Sequence, residues 1–217
     1  MVESATLREC LDFALRARRK PGFASRSPFA VLPRSLHYVC ILIKNLLSSY
    51  ASKLLHCTLP PIYMNGVSLE AHSQNILARF DILSEALVGF AYRDFGGLKL
   101  HTPTLSQQGY EVKSSPPGSL IFTEDMRELW ENCHHTLFQN HLNQLIQALE
   151  LQKPSAWAIV RLLLREGLVD EKAKPLLDYL MQDMLPYKCF MRMKMQGLYR
   201  DVSNPTLHNL RVVPILF

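Results

Sequence analysis

The sequence predicts an α+β domain, a small antiparallel sheet packed with several helices, on three observations. Two apolar runs, Ile76 to Phe80 and Leu87 to Tyr92, flank a polar segment from Asp81 to Ala86, the pattern of a β-hairpin. Apolar residues from Tyr38 to Leu55, and again from Met126 to Leu149, recur at three- and four-residue intervals, the period of an amphipathic helix. Pro154 and Gly167 bracket a further helical stretch, proline at its start and glycine at its stop.

Taken in order, residues 2 to 20 form a predicted helix with Leu7, Leu11, Phe13, Ala14 and Leu15 apolar, stopped by Pro21-Gly22. Pro21 to Pro33 is rich in proline, serine and glycine and reads as a linker. Residues 1–40 are therefore assigned to an N-terminal extension and 41–217 to the main domain. A helix from Leu36 to His56 carries Ile41, Leu42, Ile43, Leu46, Leu47, Tyr50, Leu54 and Leu55, and Pro60-Pro61 ends it. Ile62 to Leu69 leads into the hairpin region. Beyond the hairpin, His101 to Ser119 is rich in Ser, Gln, Pro and Gly and reads as a long loop. Thr123 opens a helix to about Leu151, striped by Leu129, Trp130, Cys133, Leu137, Phe138, Leu142 and Ile146, with Asp125 and Glu128 in the first turn, where they favour the helix dipole. Helices over Pro154 to Glu166 and Glu171 to Met184 follow. The tail from Lys188 to Phe217 mixes methionines with basic residues and ends in a strand-like Arg211 to Phe217.

With 217 residues, nearly half of them apolar and 20% charged, the chain has an ordinary globular composition and can bury a core. Its formal charge of +5 suits anionic ligands such as nucleotides or polycarboxylates. The one basic cluster, Arg16-Ala17-Arg18-Arg19-Lys20, comes with no nucleic-acid motif and reads as a solvated helix end, so no nucleic-acid partner is expected. Five scattered cysteines without C-x-x-C spacing argue against a disulfide framework and a zinc knuckle, and they suit a reducing cytosol. The run Tyr38 to Leu47 contains Lys44 and falls far short of the roughly 20 residues that span a bilayer. With no signal-peptide pattern either, the expectation is a cytoplasmic protein with no membrane partner.

The residues that carry chemistry sit at the open end of the hairpin. Folded symmetrically, the hairpin puts Asn75 opposite Asp94, and directly opposed residues lie about 4.5–5.5 Å apart. An extended Glu70 to Gln74 would project Glu70, His72 and Gln74 to one face. His72 is then placed to bond a carboxylate or stabilise charge developing on oxygen, with Glu70 orienting its imidazole or touching a metal. Asp94 is the best Mg²⁺ candidate, because that ion takes hard oxygen ligands from one or two carboxylates plus phosphate, and Asn75 offers a second oxygen. Arg93 is placed for phosphate or carboxylate. Blander roles compete: a structural histidine, an aspartate capping the turn into Gly96-Gly97, an arginine at a sheet edge. The Cys133-His134-His135 cluster with His141 has no i, i+4 histidine pair, so these histidines read as surface or core-edge residues. Lys188, Arg192 and Lys194 are weak candidates for anion contact.

Leu69-Glu70-Ala71-His72-Ser73-Gln74-Asn75, followed by Tyr92-Arg93-Asp94-Phe95-Gly96-Gly97-Leu98, resembles the palm-domain signature of siderophore synthetases that act independently of non-ribosomal peptide synthetases, the aerobactin-synthetase (IucA/IucC) type. The resemblance extends over roughly residues 41 to 217. It implies a palm-like domain, a sheet surrounded by helices, with ATP and Mg²⁺ as cofactors. The implied reaction activates a polycarboxylate such as citrate or a derivative as an acyl adenylate, which an amine or alcohol captures as an amide or ester. The resemblance implies His72 for the carboxylate and the developing charge, Asn75 and Asp94 for Mg-ATP, and Glu70, Gln74 and Arg93 in support. Full family members are far longer, and their upstream nucleotide-binding segment has no counterpart here. The chain is therefore expected to be a truncated portion of a synthetase, associating with a second copy or with a full-length synthetase. Two alternatives stand beside this reading. His-x-x-Asn followed by Asp-Phe-Gly is also similar to kinase-like phosphotransferase loops, although Gln74 occupies the place of their aspartate base. The other is a non-catalytic remnant.

Overall fold

The computed structural model describes residues 34–84, 86–111, 119, 121–151 and 153–185. The expected helix over 2 to 20, the Pro21 to Pro33 linker, the basic residues Lys188, Arg192 and Lys194 and the strand-like C-terminal end lie outside the described residues.

Helix α1 (Arg34–Thr58) buries Leu46, Leu47, Ala51, Leu54 and Leu55, the stripe that the periodicity picks out. Proline follows its end, yet the same proline starts a new element. Pro60 occupies the first turn of α2 (Pro60–Asn65), where its missing N–H costs nothing. Gly66 caps α2 in the left-handed region at φ 67°, its N–H bonded to the Ile62 carbonyl at 3.1 Å.

Two sheets follow. A mixed three-stranded sheet in the order β1-β4-β5 joins β1 (Val67–Ser68), β4 (Lys99–His101) and β5 (Phe122–Thr123); β1 and β4 are antiparallel, β4 and β5 parallel. The second sheet is the hairpin itself, β2 (Ile76–Phe80) and β3 (Leu87–Tyr92), whose bounds coincide with the predicted strands. Asp81 shapes its turn by accepting from the Leu83 and Ser84 amides and the Ser84 hydroxyl, and the amide and hydroxyl of Ser84 hold its carboxyl below the usual range.

The expected loop from His101 to Ser119 contains a helix, α3 (Thr102–Gln107). Its signal is local: Pro103 stands in the first turn, and the His101 imidazole accepts from the Thr104 amide as the N-cap. The long helix is capped by Asp125, two residues after the expected start at Thr123. It runs as α4 (Met126–Cys133), widens into a π-helical segment (His134–Leu142), and returns to α geometry in α5 (Asn143–Ala148). Helix α6 (Lys153–Gly167) packs along α1 and buries Ala156, Trp157, Val160 and Leu164. A 3₁₀ turn (Glu171–Ala173) capped by Asp170 leads into α7 (Lys174–Leu180), shorter than the expected helix to Met184. One hydrophobic cluster joins α1, α2, the α4–π–α5 stretch, α6 and α7, and Ala71 and Ile76 belong to it. The motif segment is thereby seated directly on the core. The architecture is α+β, as expected, with two small sheets where one was foreseen.

Candidate active site

The open end of the hairpin is clamped to α1. Tyr50 and Phe90 meet edge to face at 5.2 Å between ring centroids. Tyr92 donates its hydroxyl proton to Thr58 Oγ1 at 2.6 Å, because the Thr58 proton is already given to the Leu54 carbonyl. Burial pushes the Tyr92 phenol up to about 12.

The expected opposition of Asn75 and Asp94 is not what the strands adopt. Ile76 pairs with Tyr92, and the Arg93 amide bonds the Asn75 carbonyl at 3.0 Å, so Asn75 faces Arg93. The cause lies at the other end of the ribbon. Phe80 pairs with Leu87 and Arg79 with Gly89, leaving Val88 as the extra residue of a bulge. That bulge advances β3 by one residue, and bringing Asp94 opposite Asn75 required two. Asn75 is buried, whereas Asp94 is exposed and left-handed at φ 62°, its Oδ1 turned back toward the Gly96 amide at 3.4 Å. The turn-capping role is the one that the contacts of Asp94 display.

Nor is Glu70 to Gln74 extended. The Asn75 amide bonds the His72 carbonyl at 2.9 Å, closing a turn over His72 to Asn75 that replaces the expected row of side chains. The turn brings together some of the predicted residues by another route. His72 Nε2 accepts from Asn75 Nδ2 at 3.3 Å and lies 3.8 Å from Glu70 Oε1. Gln74 is exposed, and its contribution is its main chain: Arg93 Nε donates to the Gln74 carbonyl at 2.9 Å. Arg93 thus ties the second motif to the first. A second tie is steric, since a Cβ at Gly97 would sit on the Glu70 carboxylate. The two motifs therefore meet as a turn and a loop, with Glu70, His72 and Asn75 in contact distance and Asp94 on the exposed rim.

Beneath the turn lies a residue whose role the sequence did not disclose. His141, expected at the surface or core edge, is buried in the π segment, as are His134 and His135. His141 Nδ1 is 3.2 Å from the Ala71 carbonyl, and its Nε2 is 2.9 Å from the Tyr50 hydroxyl. Its position, four residues after Leu137 and eight after Cys133, was the available signal. Burial lowers its pKa, against the Ala71 bond, and burial pushes the Tyr50 phenol up to about 12. Among the described residues no group of three or more His, Cys, Asp or Glu side chains is arranged to hold a metal ion by itself. No described helix is long and apolar enough to cross a membrane.

Comparison with known proteins places this geometry. Residues 45–202 match the family described as ferric iron reductase FhuF-like transporter. The chain is 38% identical over 169 residues to the NRPS-independent siderophore synthetase-like protein ankE of Aspergillus thermomutatus, covering 76% of this chain and 28% of that protein. It is 27% identical over 189 residues to the D-ornithine–citrate ligase of Staphylococcus aureus, covering 75% of this chain and 28% of that one. The chain thus spans under a third of the length of these curated relatives. In fold it matches the petrobactin biosynthesis protein AsbB of Bacillus anthracis, with a TM-score of 0.63 at 18% identity, over 88% of this chain and 34% of the other. With the paired motifs in contact and most of its length matched by one family model, the chain belongs to the FhuF-like family, as an NRPS-independent siderophore synthetase-like member of it.

Proposed function

We propose that this chain supplies the acyl-activating site of an ATP-dependent condensation in siderophore biosynthesis, with a polycarboxylate such as citrate as substrate and an amine or alcohol as the capturing group. The observation that carries the reading is the junction of the two motifs, where Asn75 and Glu70 both approach His72 Nε2 and where Arg93 and Gly97 close the second motif onto the first. The name of the staphylococcal relative, a ligase of D-ornithine and citrate, supports the substrate class.

In the proposed first step a substrate carboxylate oxygen attacks the α-phosphorus of ATP, the new C(O)O–P bond forms, and pyrophosphate leaves. No base is required, since a carboxylate of reference pKa about 4 is already ionised. What the step requires is alignment and donors for the developing charge. His72, its Nε2 already satisfied by Asn75, presents the rest of its ring to the substrate; Glu70 Oε1 stands 3.8 Å from that same Nε2, and Arg93 holds the turn from the exposed rim. In the second step the amine or alcohol attacks the carbonyl carbon and AMP departs.

The residues fit an Mg²⁺ ion that arrives with the nucleotide better than one bound beforehand, because the rim offers a single exposed carboxylate, Asp94, with one oxygen turned to Gly96. Asp94 is the proposed protein ligand, and Asn75, whose amide already serves His72, is proposed to orient the imidazole. When bound, the ion neutralises phosphate charge and polarises the α-phosphorus.

The test is product analysis with the chain joined to the region that precedes the match in a longer relative. Citrate-dependent release of AMP and pyrophosphate, lost in His72→Ala, is the expected result. ADP formed in step with substrate consumption would transfer the assignment to a kinase-like phosphotransferase, and full activity in His72→Ala would remove the residue placed at the centre.

A further inference from the structure

We propose that His141 is a positioning residue that, with Tyr50, fixes the main chain between Glu70 and His72 and so sets the spacing of those two side chains. Its consequence for the reaction rests on the reading above. The geometry itself does not.

The argument starts from hydrogen-bond polarity. The Ala71 carbonyl can only accept, so the ring nitrogen 3.2 Å from it, Nδ1, carries the proton. A neutral imidazole then has a bare Nε2, and the Tyr50 hydroxyl 2.9 Å away donates to it. Each contact thereby selects the tautomer that the other requires. The ring is fixed by three elements at once: the π segment that carries it, α1 that supplies Tyr50, and the motif turn that supplies Ala71. Tyr50 is itself held edge-on by Phe90 of β3, so the same cluster joins that strand and the motif turn to the core.

What the bond controls follows from chain geometry. Ala71 is wholly buried, with no side-chain freedom, and its carbonyl belongs to the peptide plane that leads into His72. Holding that oxygen fixes the plane, and with it the direction in which His72 leaves toward Asn75 and Glu70. Without His141 the carbonyl would be a buried acceptor with no partner, and the peptide would rotate to find one. The helix is wound to suit: the Asn143 amide reaches back to the Phe138 carbonyl in the five-residue bonding of a π-helix, a geometry that recurs at functional sites. A purely apolar contact at this place would pack the core without any buried polar pair to satisfy. A histidine is needed only if the carbonyl must be held.

Nuclear magnetic resonance on the 217-residue chain tests this without reference to activity. Long-range ¹H–¹⁵N spectra at pH 7.5 should give His141 as the neutral Nδ1–H tautomer; the Nε2–H tautomer would overturn the proposal. His141→Leu should displace the ¹³C resonance of the Ala71 carbonyl and the His72 amide, and His141→Asn, which places an amide nitrogen where Nδ1 stood, should return both toward their original positions. Resonances that ignore the leucine substitution would overturn it equally. If the leucine variant does not fold, Tyr50→Phe serves instead: it keeps the ring but removes the donor to Nε2, and the Ala71 carbonyl should still hold His141 as the Nδ1–H tautomer, whereas a switch to Nε2–H would show that the carbonyl does not fix the ring and would overturn the proposal. In the product assay, His141→Leu should lower kcat by about 10–100-fold, the range seen when a partner that orients a functional side chain is removed, with KM for ATP little changed. His141→Asn should recover most of that loss. If the unsubstituted chain, joined to that upstream region, releases no AMP, the functional reading fails, while the resonances still decide the positioning role.

Discussion

Gly97 and Asp94 separate what a residue does for the fold from what it does for the site. Gly97 has no positive φ, so alanine is admissible to the backbone there, and the nearest obstacle to a Cβ is the Glu70 carboxylate, the far end of a half-buried, flexible side chain. Gly97→Ala should therefore leave stability within about 0.5 kcal/mol, as substitutions without a core or cap defect do. It should also swing Glu70 off His72 and depress AMP release. Chemical denaturation and the product assay together check it, and a large loss of stability would show that Glu70 is not free to move. Asp94 presents the opposite problem, because it is left-handed at φ 62° and any non-glycine side chain there is strained. Alanine would remove the carboxylate and also the Asx bond that eases the strain, at roughly 1 kcal/mol. Asp94→Gly removes the carboxylate while relaxing the backbone. If Asp94 holds the ion, both substitutions should abolish activity although only alanine destabilises; if Asp94 is a turn cap alone, the glycine variant should stay active.

At the scale of elements, legibility tracked how many residues a feature spans. The hairpin strands could be read because Ile76 to Phe80 and Leu87 to Tyr92 are long enough to show a boundary on each side. The sheet of β1, β4 and β5 was invisible because strands of two or three residues display no period. The π segment escaped notice for a different reason: Cys133, Leu137 and Leu142 keep an apolar stripe whether the bonds span four residues or five, so pattern alone cannot report the winding. Of the site, the residue types in the two motifs were legible, and their geometry was not. The turn at His72 to Asn75 and the closing of the hairpin at Phe80 and Leu87 are local decisions of the backbone; the first replaced the extended row, and the second set a register of which the Val88 bulge recovers only one of the two residues that Asp94 needed. Gly66 gives a prediction at this scale. It ends α2 at φ 67°, and a Cβ would lie 2.9 Å from Thr104 Cβ and 3.0 Å from His101 Cβ, atoms fixed to backbone. Gly66→Ala should cost about 1–3 kcal/mol from left-handed strain plus overpacking, read as a fall in the urea midpoint. An unchanged midpoint would mean that α3 is not seated on the cap.

For the molecule as a whole, the candidate site and the stability of the core share a proton. His141 is buried against the motif turn, and its pKa is lowered from the ordinary 6.5, chiefly by burial and further by the neighbouring His72, with the Ala71 bond opposing. The titratable groups that face it are Tyr50 from α1 and His72 from the turn, and Tyr50 stays protonated throughout the acidic range. The sign follows from proton counting. Between the lowered folded value and about 6.5, the unfolded chain binds a proton at this position that the folded chain refuses, so stability increases with pH through that window. The contribution is complete above about pH 6.5 and is lost as the pH falls through the folded value, at no more than about 1.4 kcal/mol per pH unit for one site. Protonation would also give Nε2 a hydrogen where Tyr50 now donates, setting two donors against each other. Urea midpoints of the chain and of His141→Asn, taken from pH 7.5 to 5.5, isolate this residue from the other histidines, since those titrate in both. The midpoint difference should be largest at neutral pH and shrink as the medium is acidified. A difference that stays constant across the range would mean that His141 takes up its proton equally in both states, and the neutral ring on which the Ala71 bond and the Tyr50 bond both depend would have to be abandoned.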